Sequence, residues 1–156
     1  MSFDDFAAAR VVHVVAVVGW IGGVWFVTAV LMPAIAATRA ADERVSAFHI
    51  VEGRFAGHAR LWVALAGASG LWMIWRGDLW SRFTLARFWW MHAMVALWLV
   101  FALMLFVIEP LFLHRRMAAS PDPARDFARM MRMHWVLSLA AAVTVIGAVA
   151  GSHGLI

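Results

Sequence analysis

Four apolar stretches without Asp, Glu, Lys or Arg dominate the pattern of the chain. They cover residues 11–38, 61–75, 88–108 and 133–156, which is 28, 15, 21 and 24 residues. The hydrocarbon core of a bilayer is crossed by about 20 residues of α-helix. The pattern therefore predicts four transmembrane helices, over about 6–37, 42–76, 86–114 and 123–151. The second stretch is short, so its helix has to recruit residues 56–60, with Arg60 extending toward the lipid headgroups.

Polar residues and prolines mark where these helices begin and bend. Asp42 is a predicted N-cap, and Asp122 predicts the start of the last helix because Pro123 follows it. Pro33 predicts a kink near the end of the first helix. Short connections make sequential helices antiparallel neighbours. The predicted fold is all-α: a single domain of residues 1–156 that forms an integral membrane up-down four-helix bundle.

Composition places the chain outside the range of soluble globular proteins. Hydrophobic residues make up 65% and charged residues 14% of the sequence. Cys, Lys, Tyr, Asn and Gln do not occur, which excludes disulfides, a thiolate nucleophile and a Schiff-base lysine. The side chains left for chemistry are seven His, the arginines, a few carboxylates and ten Met. This inventory favours metal or haem ligation over acyl or phosphoryl transfer.

The net charge of +4 is carried by arginine and indicates topology, because nothing in the chain resembles a nucleic-acid-binding module. Nine arginines flank the first and third connections, and four lie at the N-terminus and second connection. The positive-inside rule then places both termini on the periplasmic side of a bacterial-type inner membrane. Asp4 and Asp5 replace the basic region of a signal peptide, so we expect an uncleaved first helix.

One histidine lies in the N-terminal turns of each predicted helix: His13, His58, His92 and His134. Helix direction alternates, so the first and third share the outer face of the membrane, and the second and fourth share the inner face. In an up-down bundle these pairs lie on diagonal helices and face each other across the core. The spacing therefore predicts an outer pair, His13 with His92, and an inner pair, His58 with His134.

Two such pairs match what two bis-histidine b-type haems require, with an imidazole on each face of each macrocycle. The propionates need cations near the membrane edge. Arg10 and Arg87 are candidates outside, and Arg54 with Arg132 or Arg129 inside. The predicted function is a membrane b-type cytochrome that carries electrons within or across the bilayer. Its predicted partners are the lipid bilayer, a quinol or small redox species, and a second copy of the chain.

Other interpretations of these residues stay open. The four histidines are also compatible with interfacial positions in a membrane subunit that holds no cofactor. Met91 and Met94 bracket His92, and three methionines directly precede His134, so imidazole and thioether ligands for Cu(I) are an alternative to haem. The same methionines are also ordinary apolar filler. The remaining chemistry-bearing residues are one carboxylate and three histidines without an assigned role: Glu109, His49, His114 and His153.

Glycines recur on the predicted helices, and they allow two interpretations. Small residues let membrane helices approach closely, or they give clearance for a flat cofactor. They are Gly19, Gly22, Gly23, Gly67, Gly70, Gly147 and Gly151.

Several segments resemble the CopD-like superfamily of membrane proteins across almost the whole chain. "HVVAVVGWIGG" followed by "VLMPAI" resembles its first helix, with His, then Trp seven residues on, then Gly-Gly and Pro. "VEGRFAGHARLW" resembles its Glu-x-Arg-Phe segment, and "RFWWMHAMVALW" and "RMMRMHWVLSLAAA" its last two helices. This resemblance implies a helical membrane fold and, for the CopD group, copper transport or tolerance.

HemJ-type protoporphyrinogen oxidases are related to that superfamily, and they share the His-to-Trp helix and the Glu-x-Arg element. The resemblance implies that His13 matches their haem-binding histidine. Their third helix carries Trp-x-His-x-Lys, whereas this chain has Met94 at the lysine position, after Trp90 and His92. What the resemblance implies is a haem-capable scaffold, with porphyrin oxidation as a further alternative.

Overall fold

The computed structural model describes residues 4–113 and 122–155, with the side chains of residues 112 and 113 left outside the description. Its described residues are helical and contain no strand, which confirms the predicted all-α class. Four long helices follow one another. They are α1 (Asp5–Thr38, with a π-helical turn at Val27–Leu31), α2 (Arg44–Arg76), α3 (Trp89–Leu103, continued by π-helical Met104–Leu113) and α4 (Pro123–Ser152). Two 3₁₀ turns, Trp80–Thr84 and Ala86–Phe88, connect α2 to α3. His114 lies outside the described residues.

Side-chain caps fix two of the helix starts. Asp4 accepts a hydrogen bond from the backbone N–H of Ala7, and Asp122 accepts one from Arg125. The prediction that Asp42 caps α2 is wrong, because α2 begins at Arg44 without a side-chain cap. Arg44 instead donates to the backbone carbonyls of Ala36 (2.9 Å) and Arg39 (3.2 Å), which ties the start of α2 to the end of α1.

Three of the four helices are long and apolar enough to cross a membrane. They are Asp5–Thr38, Ala86–Leu111 and Pro123–Ser152. The helix α2 is not among them, since its apolar run 61–75 has 15 residues and a span needs about 20. Large apolar side chains lie exposed on the three helices, for example Val18, Leu99 and Ile146. Contiguous apolar exposure of this kind suits contact with lipid.

Both π-helical segments lie beside a proline. Pro110 lies inside Met104–Leu113, and Pro33 follows Val27–Leu31 by two residues. Proline lacks an N–H and its ring clashes with the preceding turn, so a membrane helix adjusts locally around it. The kink predicted at Pro33 takes the form of this π-helical turn. Beside it, the hydroxyls of Thr28 and Ser138 share a buried hydrogen bond of 2.7 Å that joins α1 to α4.

The helices pack in two close pairs. The helix α2 lies along α1, and α3 lies against α4, while α2 also contacts both α3 and α4, and α4 contacts α1. Two buried clusters result. The first is Ala16, Trp20, Ile21, Val24, Val63, Ala66 and Ala141; the second is Val27, Met32, Ile35, Val45, Phe48 and Phe127.

Aromatic rings fill the notches that five of the glycines leave. A Cβ added at Gly19 would lie 2.7 Å from Trp62, and one at Gly67 would lie 2.5 Å from Trp98. Similar overlaps pair Gly23 with Phe55, Gly147 with Trp89 and Gly151 with Trp90. Close packing is therefore the role of these glycines. Trp89 and Trp90 pack against these two glycines of α4, and Trp90 is buried whereas Trp89 is exposed.

Candidate ligand cavity and the histidines around it

A cavity of about 380 Å³ lies between all four helices. Its walls are mainly apolar and include Val24, Phe48, Phe55, Phe101 and Met104. Six lining residues carry polar groups: Trp20, Glu52, Glu109, Asp126, Arg129 and His134. An apolar cleft of this size with a few convergent polar groups is typical of small-molecule and cofactor sites, which span roughly 300–1,000 Å³.

The cavity extends along the helices, as the residues at its two ends show. At one end Trp20 packs edge-to-face on Phe101, with ring centroids 5.0 Å apart. At the other end lie Glu109 and Arg129. Phe101 and Glu109 are two helical turns apart on α3, which is roughly 10 Å along the helix axis. The site therefore suits an extended or flat occupant.

The indole of Trp20 presents an unsatisfied donor. Its residue is only 4% exposed, and its Nε1 finds no acceptor in the part of the chain that the structure describes. Buried tryptophans usually donate to a partner, and leaving a buried donor unpaired costs about 1–3 kcal/mol. An acceptor atom from an occupant of the cavity, or from an ordered water, would remove that cost.

His134 presents one free ring nitrogen at the cavity. Its Nδ1 lies 3.0 Å from the backbone carbonyl of Met130. A carbonyl only accepts, so Nδ1 carries the proton and Nε2 is left as a bare lone pair. Metal-binding histidines are commonly oriented in this way, with the second nitrogen donating to a carbonyl. The ring also packs edge-to-face on Phe48, at 5.7 Å between centroids, which holds its plane.

His13 has the same tautomer but a different surrounding. Its Nδ1 donates to the backbone carbonyl of Ala66 at 2.9 Å and lies 3.2 Å from the hydroxyl of Ser69. The ring lies against Gly70, and a Cβ added at Gly70 would lie 3.1 Å from Cε1 of His13. His13 thus joins α1 to α2, and it does not line the cavity.

His92 and His58 are both exposed. The Nε2 of His92 lies 2.9 Å from the carbonyl of Phe83, and its Nδ1 lies 3.4 Å from that of Phe88. The imidazole therefore connects α3 to the turn before it. The Nδ1 of His58 donates to the carbonyl of Arg54 at 3.2 Å, one turn back on its own helix.

Of the four histidines in the predicted pairs, His134 lines the cavity, whereas His13, His58 and His92 are not among its lining residues. On α2 the inward positions are Ala56 and Ala59, both buried, so His58 is turned away from the cavity that His134 lines. On α3 the buried positions are Trp90 and Met91, which leaves His92 on the outer side. Equal depth along the helices does not by itself place side chains on facing sides.

Of the arginines proposed as propionate partners, Arg129 reaches the cavity, where it also pairs with Asp126 at 3.4 Å. Arg10 lies over the ring of Phe6 at 5.0 Å, and Arg87 lies over that of Phe88 at 4.9 Å. Arg54 and Arg132 are exposed.

Arg60 does not extend toward the headgroups as predicted. Its guanidinium pairs with Glu109 at 3.3 Å, and its Nε donates to the carbonyl of Leu105 at 3.0 Å. In a π-helix the Leu105 carbonyl would accept from residue 110, but Pro110 has no N–H to give. Arg60 satisfies the carbonyl that the proline leaves, and at the same time it neutralises a buried carboxylate. The sequence had set Glu109 apart without assigning it a role, and nothing in its spacing pointed to Arg60.

A second carboxylate, that of Glu52, enters the same end of the cavity and was not among the sequence candidates. Its Oε2 lies 3.2 Å from Nδ1 of His49. It belongs to the polar first half of α2, ahead of the apolar run 61–75. Burial, and after it the neighbouring charge of Glu109, raises the pKa of Glu52 to about 7.

The methionines near His134 divide between two sites. Met130 and Met133 line the cavity together with His134, and Met104 joins them from α3. Met131 does not line the cavity and packs against the second buried cluster, as Met130 also does. Three thioethers and one imidazole therefore line a common space.

His153 is not among the residues that line the cavity. The Nδ1 of His153 lies 2.9 Å from the carbonyl of Val149 at the end of α4. Within residues 4–113 and 122–155, no group of three or more His, Cys, Asp or Glu side chains is arranged to hold a metal ion. Comparison of the chain with protein-family models, with curated proteins and with solved structures finds no match.

Proposed function

We propose that this chain is an integral membrane b-type haem protein, with one haem in the cavity and His134 as its axial ligand. The observation that carries the proposal is the free Nε2 of a cavity-lining imidazole whose Nδ1 is held by the Met130 carbonyl. Haem iron would supply one-electron chemistry, exchanged with a quinol or a small redox species.

The other cavity residues suit a porphyrin. Phe48, Phe55 and Phe101 give apolar surfaces for the macrocycle. Arg129, at the end away from Trp20, offers a cation to a propionate. The buried Trp20 N–H requires an acceptor from the occupant or from an ordered water.

We further propose that the four helices form an up-down bundle in a bacterial-type inner membrane, with both termini outside. The apolar run 61–75 of α2 is then the fourth crossing, supported by its packing along α1. The cavity lies toward the arginine-rich, cytoplasmic side. A second haem between His13 and His92 has less support, since both nitrogens of His92 face loop carbonyls.

The direct test is the absorption spectrum of protein purified in detergent from haem-replete cells. A Soret band and about one haem per chain by pyridine haemochrome are expected. Two haems per chain would restore the two-layer arrangement predicted from the sequence. A colourless protein would contradict the haem assignment.

Copper binding is the second candidate, favoured by the three thioethers that face His134. Imidazole and thioether ligands suit Cu(I), and the CopD resemblance implies the same metal. Metal analysis after loading with Cu(I) would show one copper per chain, and Met130→Ala together with Met133→Ala would abolish it. Met131→Ala is the matched control, because Met131 does not line the cavity.

A further inference from the structure

Two carboxylates from different helices face one end of the cavity. Glu52 comes from α2 and Glu109 from α3, and their side chains are 24% and 11% exposed. Buried carboxylates at a shared site repel each other, so such a pair readily holds a proton in common.

The charges around this pair are unevenly distributed. Glu109 is neutralised by the guanidinium of Arg60 at 3.3 Å. Within the described residues, the ion pair found for Glu52 is with the imidazole of His49, which carries charge when protonated. The charge of Glu109 is therefore balanced by a cation, whereas Glu52 is stabilised by binding a proton. The raised pKa of Glu52 agrees with this asymmetry.

Among the described residues, the one cation that another helix adds to the cavity lining is Arg129. The helix α1 contributes the apolar Val24 and Val27 to the cavity wall. From α4 come Asp126 and Arg129, which pair with each other at 3.4 Å, and the neutral imidazole of His134. An electron placed in the cavity adds negative charge at low dielectric, which raises the proton affinity of nearby carboxylates.

His49 connects this pair to water. Its side chain is 31% exposed, while its Nδ1 reaches Oε2 of Glu52. An imidazole at this position can pass a proton from bulk solvent to the carboxylate.

We propose that Glu52 and Glu109 form one proton-binding site at the inner end of the cavity, supplied through His49, which takes up a proton when the cavity cofactor is reduced. The coupling to reduction rests on the proposed haem, whereas the proton site rests on the two carboxylates alone. One electron from an external reductant converts ferric to ferrous haem, and one proton from water converts a carboxylate to a carboxylic acid. The charge of the cavity is then unchanged.

The proton site is tested without any cofactor signal, by infrared titration of the protein in lipid nanodiscs. We expect a carboxylic-acid C=O band that disappears as pH rises through neutrality, and that Glu52→Gln removes. Glu52→Asp keeps a carboxyl and should retain a shifted band. Glu43→Gln is the matched control, since Glu43 is an exposed residue beside the start of the same helix. A spectrum of Glu52→Gln identical to that of the parent would overturn the proton site.

Coupling is tested by the midpoint potential of the haem as a function of pH, with dithionite and ferricyanide as titrants. Uptake of one proton per electron means that a tenfold change in proton concentration changes the reduction equilibrium tenfold, which is about 59 mV per pH unit. Glu52→Gln should flatten the dependence near neutrality, and Glu43→Gln should not. A potential independent of pH in the parent protein overturns the coupling. A colourless protein overturns both the haem and the coupling, while the infrared titration still decides the proton site.

Discussion

Similar residues have different surroundings at the two ends of the helix assembly. At the end that is outer in the proposed topology, Trp90 fills the notch at Gly151, His13 is hydrogen-bonded to α2, and His92 is hydrogen-bonded to a turn. At the end that is inner in that topology, His134 lines the cavity together with two carboxylates. Each helix carries one of the four predicted ligand histidines, and of these four only His134 lines the cavity. What distinguishes a structural histidine from a candidate ligand is the face of the helix it occupies.

The largest expected effect on stability is at Arg60. Substitution Arg60→Met leaves the Glu109 carboxylate and the Leu105 carbonyl without their shared partner. Removing one member of a buried ion pair costs roughly 3–5 kcal/mol, and the partial exposure of Arg60 places the loss near the lower limit. The free energy of unfolding in mixed micelles measures it. Adding Glu109→Gln should recover part of the loss, and no recovery would show that the pair is not coupled.

Glu52 gives the inner end a pH dependence. Its pKa is raised from 4.5 to about 7, so the folded protein prefers the protonated carboxyl. This contribution is complete below pH 4.5 and is lost as pH rises to about 7, so the free energy of unfolding falls by roughly 3 kcal/mol across that window. Thermal unfolding at a series of pH values compares the parent with Glu52→Gln. Parallel curves for the two proteins would contradict the account.

The outer end should respond to added volume. A Cβ at Gly151 overlaps the indole of Trp90, so Gly151→Ala should destabilise the protein by about 1–2 kcal/mol. Gly22 is exposed with open space around its Cβ position, and Gly22→Ala is the matched control. The same unfolding measurement applies. Equal effects of the two substitutions would mean that Trp90 moves aside without cost.

Hydrophobic pattern and capping residues were sufficient to predict the helical class and the approximate bounds of the helices. The sequence predicted four membrane crossings; α1, α3 and α4 are long and apolar enough to cross, whereas α2, with its apolar run 61–75, is not among the candidate spans. The cavity could not be predicted, because it depends on which face of each helix is buried. His58 illustrates this point, because it directly precedes the buried Ala59 and yet lies outside the cavity.

The contacts of Arg60 and Glu52 could also not be predicted from the sequence. Arg60 lies 49 positions from Glu109 in the chain, and the link between them arises from the carbonyl that Pro110 leaves free. Sequence spacing carries no signal for such a contact. The lack of an acceptor for the Trp20 N–H among the described residues could not be predicted either. The motif around Trp20 indicates a family resemblance and says nothing about its hydrogen-bond partner.

The measurement that tests the central claim most directly is the haem content of His134→Ala beside that of His92→Ala, by pyridine haemochrome on protein purified in detergent. His134 presents a free Nε2 to the cavity, whereas His92 is engaged with a turn on the outer side. We predict that His134→Ala loses its haem and that His92→Ala retains the parent amount. Full haem content in His134→Ala, or its loss in His92→Ala, would contradict the assignment of the cavity as the haem site.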